Sequence, residues 1–182
     1  METLETLRNL FDEVLAVNSE PEALPGLSRQ TIEQVFTDLK LTPPGILVCL
    51  YEWHNGIEYL DAFMSFLPLE RAVSIYRGYQ ALTDRLGFWG WKSSQFPILD
   101  ENGDIQLCID CSSGELVSVC LENDDSTRQV AAHYEPYVEA MAQLFRQKAY
   151  AYEEAGGCIN ADAIAWRGIA QAYGVKESWL AT

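Results

Sequence analysis

Between residues 96 and 121 three short apolar runs follow one another with only two brief links, and no other stretch restricts the fold so tightly. The runs span 96–99, 105–110 and 115–121, and the links carry Glu101-Asn102-Gly103 and Ser112-Ser113-Gly114. A glycine behind small polar residues suits the tight turn of a hairpin. Runs joined by hairpins pair antiparallel. In the second run Ile105, Leu107 and Ile109 alternate with Gln106, Cys108 and Asp110, which predicts that one face is buried.

Helical patterns flank this meander. Leu4, Leu7, Leu10, Phe11, Val14 and Leu15 recur on one face until Pro21, Pro25 and Gly26 break the pattern. Ser28 is an N-cap candidate for a helix carrying Ile32, Val35, Phe36 and Leu39. Thr42-Pro43 reads as the next start, with Ile46, Leu47, Leu50 and Tyr51 inward and a left-handed stop at Gly56. A short apolar stretch at 63–67 reads as a strand, and Pro68 opens a helix with Leu69, Val73 and Tyr76 on one side. Pro136 begins a long helix with Val138, Met141, Leu144 and Phe145 buried, ending at Gly156-Gly157. Asn160 caps a last helix bearing Ile164, Trp166, Ile169 and Tyr173, expected to dock on the domain. Helices, then a meander, then helices predict an α+β fold: a small, mainly antiparallel sheet flanked by helices, with extra helices at both termini. The length of 182 residues suits one domain over 1–182.

There are 27 acidic and 12 basic side chains, a formal net charge of -15. Such a surface repels nucleic acid and anionic lipid and attracts a basic protein. The longest apolar run, 46–51, is far short of the roughly 20 residues a bilayer requires. The start is acidic where a signal peptide is basic, so a cytoplasmic location is expected. The five cysteines fit reduced thiols.

Few residues suggest chemistry. Cys108 and Cys111 form a CxxC, but a structural zinc site needs four ligands and no second pair is present. The stretch 100–104 resembles a calcium loop only superficially, because its glycine comes fourth and the twelfth position is Cys111. No metal and no cofactor are expected. Only His54 and His133 could serve a histidine mechanism, and His54 sits where a helix end favours its protonated form. Nucleophile-elbow, zinc-protease, phosphate-loop and dinucleotide patterns are missing. Carboxylates are plentiful, and no pair is singled out by its surroundings.

Trp89 and Trp91 flank Gly90, which suits either a contact surface or a cap on the sheet's core. From 93 to 127 there is no Lys or Arg, but eight acids: Asp100, Glu101, Asp104, Asp110, Glu115, Glu122, Asp124 and Asp125. Concentrated like charge costs the fold, which favours a partner-facing role. Asp100, Glu101, Asp104, Glu122, Asp124 and Asp125 are expected to gather on solvent-facing sheet edges, with Trp89 and Trp91 as an apolar anchor beside them.

Several short motifs occur in a suggestive order. They are 50–56, Leu-Tyr-Glu-Trp-His-Asn-Gly; 66–70, Phe-Leu-Pro-Leu-Glu; Trp89 and Trp91; Phe96-Pro97-Ile98; 102–110, Asn-Gly-Asp-Ile-Gln-Leu-Cys-Ile-Asp; and the helix at 134–145. In this order they resemble the SMI1/KNR4 family, or SUKH superfamily, over about 24–145, leaving the N-terminal helix and a C-terminal helical extension at 146–182 outside the pattern. The resemblance implies a sheet flanked by helices and a non-enzymatic binding module without catalytic residues. Bacterial members are similar to immunity proteins that neutralise toxins, often nucleases, and fungal relatives are regulators. The leading expectation is therefore an immunity-like protein-binding module. A regulatory scaffold with a standing partner is the alternative, and a hydrolase using His54 or carboxylates the third.

Overall fold

The structure, a computed structural model, describes residues 2–17, 21–61, 63–87, 90–101, 103–120, 127–153 and 158–176. The chain opens with helix α1 (Glu2–Val17), which buries Leu7, Leu10 and Val14. Leu15, expected on that face, is exposed. Strand β1 (Ala23–Pro25) and helix α2 (Arg29–Asp38) follow. Ser28 caps α2 as its sequence suggests, its hydroxyl accepting the Thr31 amide at 3.1 Å. Helix α3 (Gly45–Trp53) begins later than Thr42-Pro43 implied. A residue before proline is driven out of the helical region, so Pro43 cannot join the helix ahead of Pro44, which stays extended at ψ 148°.

Helix α3 runs directly into strand β2 (His54–Ile57). Gly56 therefore does not stop a helix. It has positive φ, 102°, but inside a strand, and a Cβ there would lie 2.8 Å from Pro68. After β3 (Ser65–Phe66) comes α4 (Leu69–Leu86), and it is α4 that ends on a left-handed glycine, Gly87 at φ 66°. Strands β4 (Gln95–Glu101), β5 (Ile105–Asp110), β6 (Leu116–Cys120) and β7 (Thr127–Ala131) complete the large sheet. Its order is β1-β2-β3-β4-β5-β6-β7, with every neighbouring pair antiparallel. A bulge between Pro97 and Leu99 accommodates the proline, which has no amide to give the ladder.

All six residues of β5 are buried, so the expected open face does not exist. Gln106, on the polar side, instead meets the Tyr79 hydroxyl of α4.

Helix α5 (Tyr134–Arg146) buries Val138, Met141, Leu144 and Phe145 as its spacing predicts, but it is much shorter than expected. Lys148 turns the chain at φ 53°, and a hairpin of β8 (Tyr150–Glu153) and β9 (Cys158–Ala161) follows. Gly156 and Gly157 lie outside the described residues. The C-terminal region is thus a hairpin plus a helix. That helix, α6 (Ala163–Tyr173), is capped by Asp162 and not by Asn160: the Asp162 carboxylate accepts the Ile164 and Ala165 amides at 2.9 and 3.0 Å.

Helix α6 docks against α5 through Trp166 and Ile169, while Ile164 points outward at 86% exposure. Trp166 packs edge-on against Phe63 and Tyr137. The fold is α+β, with six helices among the described residues. No helix among the described residues is long and apolar enough to cross a membrane.

Candidate partner-binding surface

The motif His54-Asn55-Gly56 is architectural. The His54 ring bonds through Nδ1 to the Leu24 carbonyl at 3.0 Å, tying β2 to β1. Asn55 is buried, and its Oδ1 accepts the Leu69 amide at 2.8 Å. That bond satisfies a helix-start donor that Pro68 at the cap position cannot reach. Gly56 leaves room for Pro68 itself. Asn55 and Gly56 therefore set the place where α4 leaves the sheet, while His54 fixes β2 on β1. His54 is occupied in that framework, and no acid–base partner faces it among the described residues.

The antiparallel order gives the sheet two unlike ends. At one end lie the start of β1, the end of β2, the start of β3, the end of β4 and the start of β5. Registers Ala23↔Ile57, Ser65↔Asp100, Glu101↔Ile105 and Ile105↔Cys120 establish this. Glu22, Glu58, Asp100, Glu101 and Asp104 therefore share that end, and the link after Cys120 departs from it too. Asp110 and Glu115 sit at the opposite end, each already engaged. Asp110 accepts the Ser112 amide and hydroxyl at 2.9 and 2.5 Å, and Glu115 accepts Gln129 Nε2 at 2.6 Å. Burial pushes the Asp110 pKa up, but hydrogen bonds from Ser112, Ser94 and Ser113 together outweigh it and hold the carboxyl below its ordinary value.

Of the residues proposed for the surface, Asp100, Glu101 and Asp104 come together at the β4–β5 turn, where the Asp104 amide donates to the Glu101 carbonyl at 3.0 Å. Partial burial raises the Glu101 pKa, and the charges of Asp104 and Asp100 raise it further. Of the three, only Asp104 is exposed. Asp100 is half-buried and accepts Gln106 Nε2 at 2.5 Å, which places it in a structural chain with Tyr79. The structure shows the ion pairs Arg29–Glu52 and Arg146–Glu13, and none reaches this end of the sheet among the described residues.

Trp91 overturns its assignment as a surface anchor. It is 5% exposed, its indole N–H donates to the Gln95 carbonyl at 2.9 Å, and its ring packs on Tyr76 and Tyr79. Tryptophan buries the largest apolar area of any side chain, and here α4 offers it a wall. Trp89, Glu122, Asp124 and Asp125 lie outside the described residues.

Cys108 is fully buried, and burial drives its thiol pKa far up; burial also pushes Cys111 up to about 12. Thiols held protonated are poor nucleophiles and poor ligands. Among the described residues no group of His, Cys, Asp or Glu is placed to hold a metal.

Asp61, which sequence reasoning missed, is the most perturbed carboxyl of this end of the sheet. It is 1% exposed, and burial raises its pKa to about 6 despite bonds from the Phe63 and Met64 amides (2.8 Å each) and the Tyr137 hydroxyl (2.9 Å). Both oxygens are used in closing the β2–β3 link and pinning it to α5. One signal was visible: an aspartate accepting amides two and three positions ahead is a common turn device. Its long-range partner Tyr137 was not.

Comparison of the chain with protein-family models and with curated proteins finds no match in either.

Proposed function

We propose that this protein is a non-enzymatic, immunity-like binding module, acting in the cytoplasm, whose acidic sheet end receives a basic protein such as a toxin or nuclease domain. The observation that carries this is the gathering of Glu22, Glu58, Glu101 and Asp104 at one end of the sheet with no ion pair to them among the described residues. Holding like charges together costs the fold, and a cationic surface arriving there relieves the cost. The charge also raises the encounter rate, which matters for a protein that must neutralise its target quickly. The ordered motifs between 50 and 145 add the immunity character, and an α+β sheet with flanking helices is compatible with it.

The test is association kinetics with a partner captured from the native host. Glu101→Gln/Asp104→Lys, two changes that spare the Asp100–Gln106–Tyr79 chain, should slow association about tenfold and flatten its salt dependence. Co-expression with the captured partner should protect cells only with the wild-type protein at limiting dose. An unchanged rate and salt slope would remove this end of the sheet as the interface.

A further inference from the structure

Beside β1, β2 and β3 the sheet end opens into a groove of about 250 Å³. Its lining includes the exposed Leu24, the half-buried Pro68, the buried Ile57, Phe66 and Leu67, and the two acidic residues Glu22 and Glu58. Drug-sized ligands occupy pockets of roughly 300–1,000 Å³, so this one suits a single long side chain better than a whole metabolite.

Glu22 and Glu58 are cross-strand neighbours: the Glu58 amide donates to the Glu22 carbonyl at 3.2 Å. Like charges facing each other across a strand pair oppose pairing. Both residues are exposed, and neither has an ion pair among the described residues. An apolar trough with two carboxylates matches a side chain with a hydrocarbon stem and a cationic head.

Next to Glu58, Tyr59 is 47% exposed and held at φ 49°, with its amide donating to Ser65 Oγ at 3.0 Å. A bulky residue in that backbone region is strained, and here the strain accompanies an aromatic side chain that is exposed one position after Glu58. Ser65, which also lines the groove, pairs with Asp100 on β4, so the groove adjoins the acidic turn. A second copy of this chain, with net charge -15, would be repelled.

We propose that this groove seats one lysine or arginine side chain of the basic partner, its methylenes along Leu24 and Pro68 and its head at Glu22 and Glu58. This rests on the reading that a basic protein docks at this end of the sheet, and it names the anchoring chemistry.

The test titrates the isotopically labelled full chain with acetyl-Gly-Arg-Gly-Arg-Gly amide and with the same peptide carrying norleucine for arginine. The arginine peptide should shift the amides of Ile57, Glu58, Ser65 and Leu67 saturably, and the norleucine peptide should not. Glu22→Gln/Glu58→Gln should weaken the apparent affinity about fivefold, the loss of two exposed ion pairs, while the unliganded spectrum stays folded. Equal binding of the norleucine peptide, wild-type affinity in the double variant, or silence of the groove amides would each overturn the assignment. Shifts confined to 103–106 would overturn the groove while leaving the acidic sheet end as a docking face. Loss of the wider reading is separate: it is read from the salt dependence of association with the native partner.

Discussion

Gly56 and Asp61 show how much a single residue's meaning depends on what is packed against it. A left-handed glycine after a helix normally stops that helix, yet Gly56 sits in β2 and makes room for Pro68. Gly56→Ala therefore meets two penalties, a positive φ of 102° and a Cβ 2.8 Å from the proline ring. Backbone strain alone costs about 1 kcal/mol and the overlap adds to it, so a loss of about 2–3 kcal/mol is expected in chemical denaturation. A loss near zero would mean that Pro68 retreats freely. For Asp61 the folded pKa, about 6, lies above that of an unfolded aspartate, 3.8. Between those values the unfolded chain ionises while the native one keeps its proton, so stability falls as pH rises from about 4 to about 6. Relative to Asp61→Asn, which does not titrate, the wild type should lose about 3 kcal/mol across that window. A constant stability difference between the two proteins over this range would show that Asp61 ionises normally.

Among the elements, α4 and α6 depend most on residues far away in sequence. Helix α4 begins at Leu69, and the amide there is answered by Asn55, fourteen positions earlier. Asn55→Ala should cost about 1 kcal/mol, the usual loss for an N-cap, with the loss concentrated in amide-exchange protection of the first turn of α4. Uniform loss across the molecule would make Asn55 a general packing residue instead. Helix α6 is held by Trp166 against Phe63 and Tyr137, by the Asp162 amide on the Ala149 carbonyl (2.8 Å), and by the Lys176 amide on the Val130 carbonyl (2.7 Å). Trp166→Ala should destabilise the whole domain by about 3 kcal/mol, seen as a single earlier unfolding transition. A variant in which only the C-terminal region melts early, with the rest unaffected, would make α6 an independent appendage.

At the scale of the whole molecule, a net charge of -15 combined with a sheet end that no ion pair reaches among the described residues means that repulsion opposes the compact state. The melting temperature should rise as sodium chloride increases from low to physiological concentration, because screening then reaches about 8 Å and shortens the range of repulsion. Glu22→Gln/Glu58→Gln should reduce that rise. A melting temperature that falls with salt would mean attractive pairs outweigh repulsion in the free protein.

Local chemistry was sufficient for some of this. The two glycine-bearing links imposed hairpins on β4, β5 and β6, Ser28 capped α2, and the 3.6-residue spacing of Val138, Met141 and Phe145 marked the buried stripe of α5, because turns, caps and helical faces are set by residues within a few positions of one another. The same local information missed β1 and β2. These short segments carry proline, asparagine and glycine and become strands only when other strands pair with them. It also overextended α5, where Lys148 turns the chain and β9 supplies a partner for β8. The candidate site divided in the same way. A basic-free stretch was legible by counting, but the register sent Asp110 and Glu115 to the far end, drew Glu22 and Glu58 in from a distant segment, and α4 took Trp91 into the core. Charge is a property of each residue, whereas which charges become neighbours is decided by strand pairing across tens of residues.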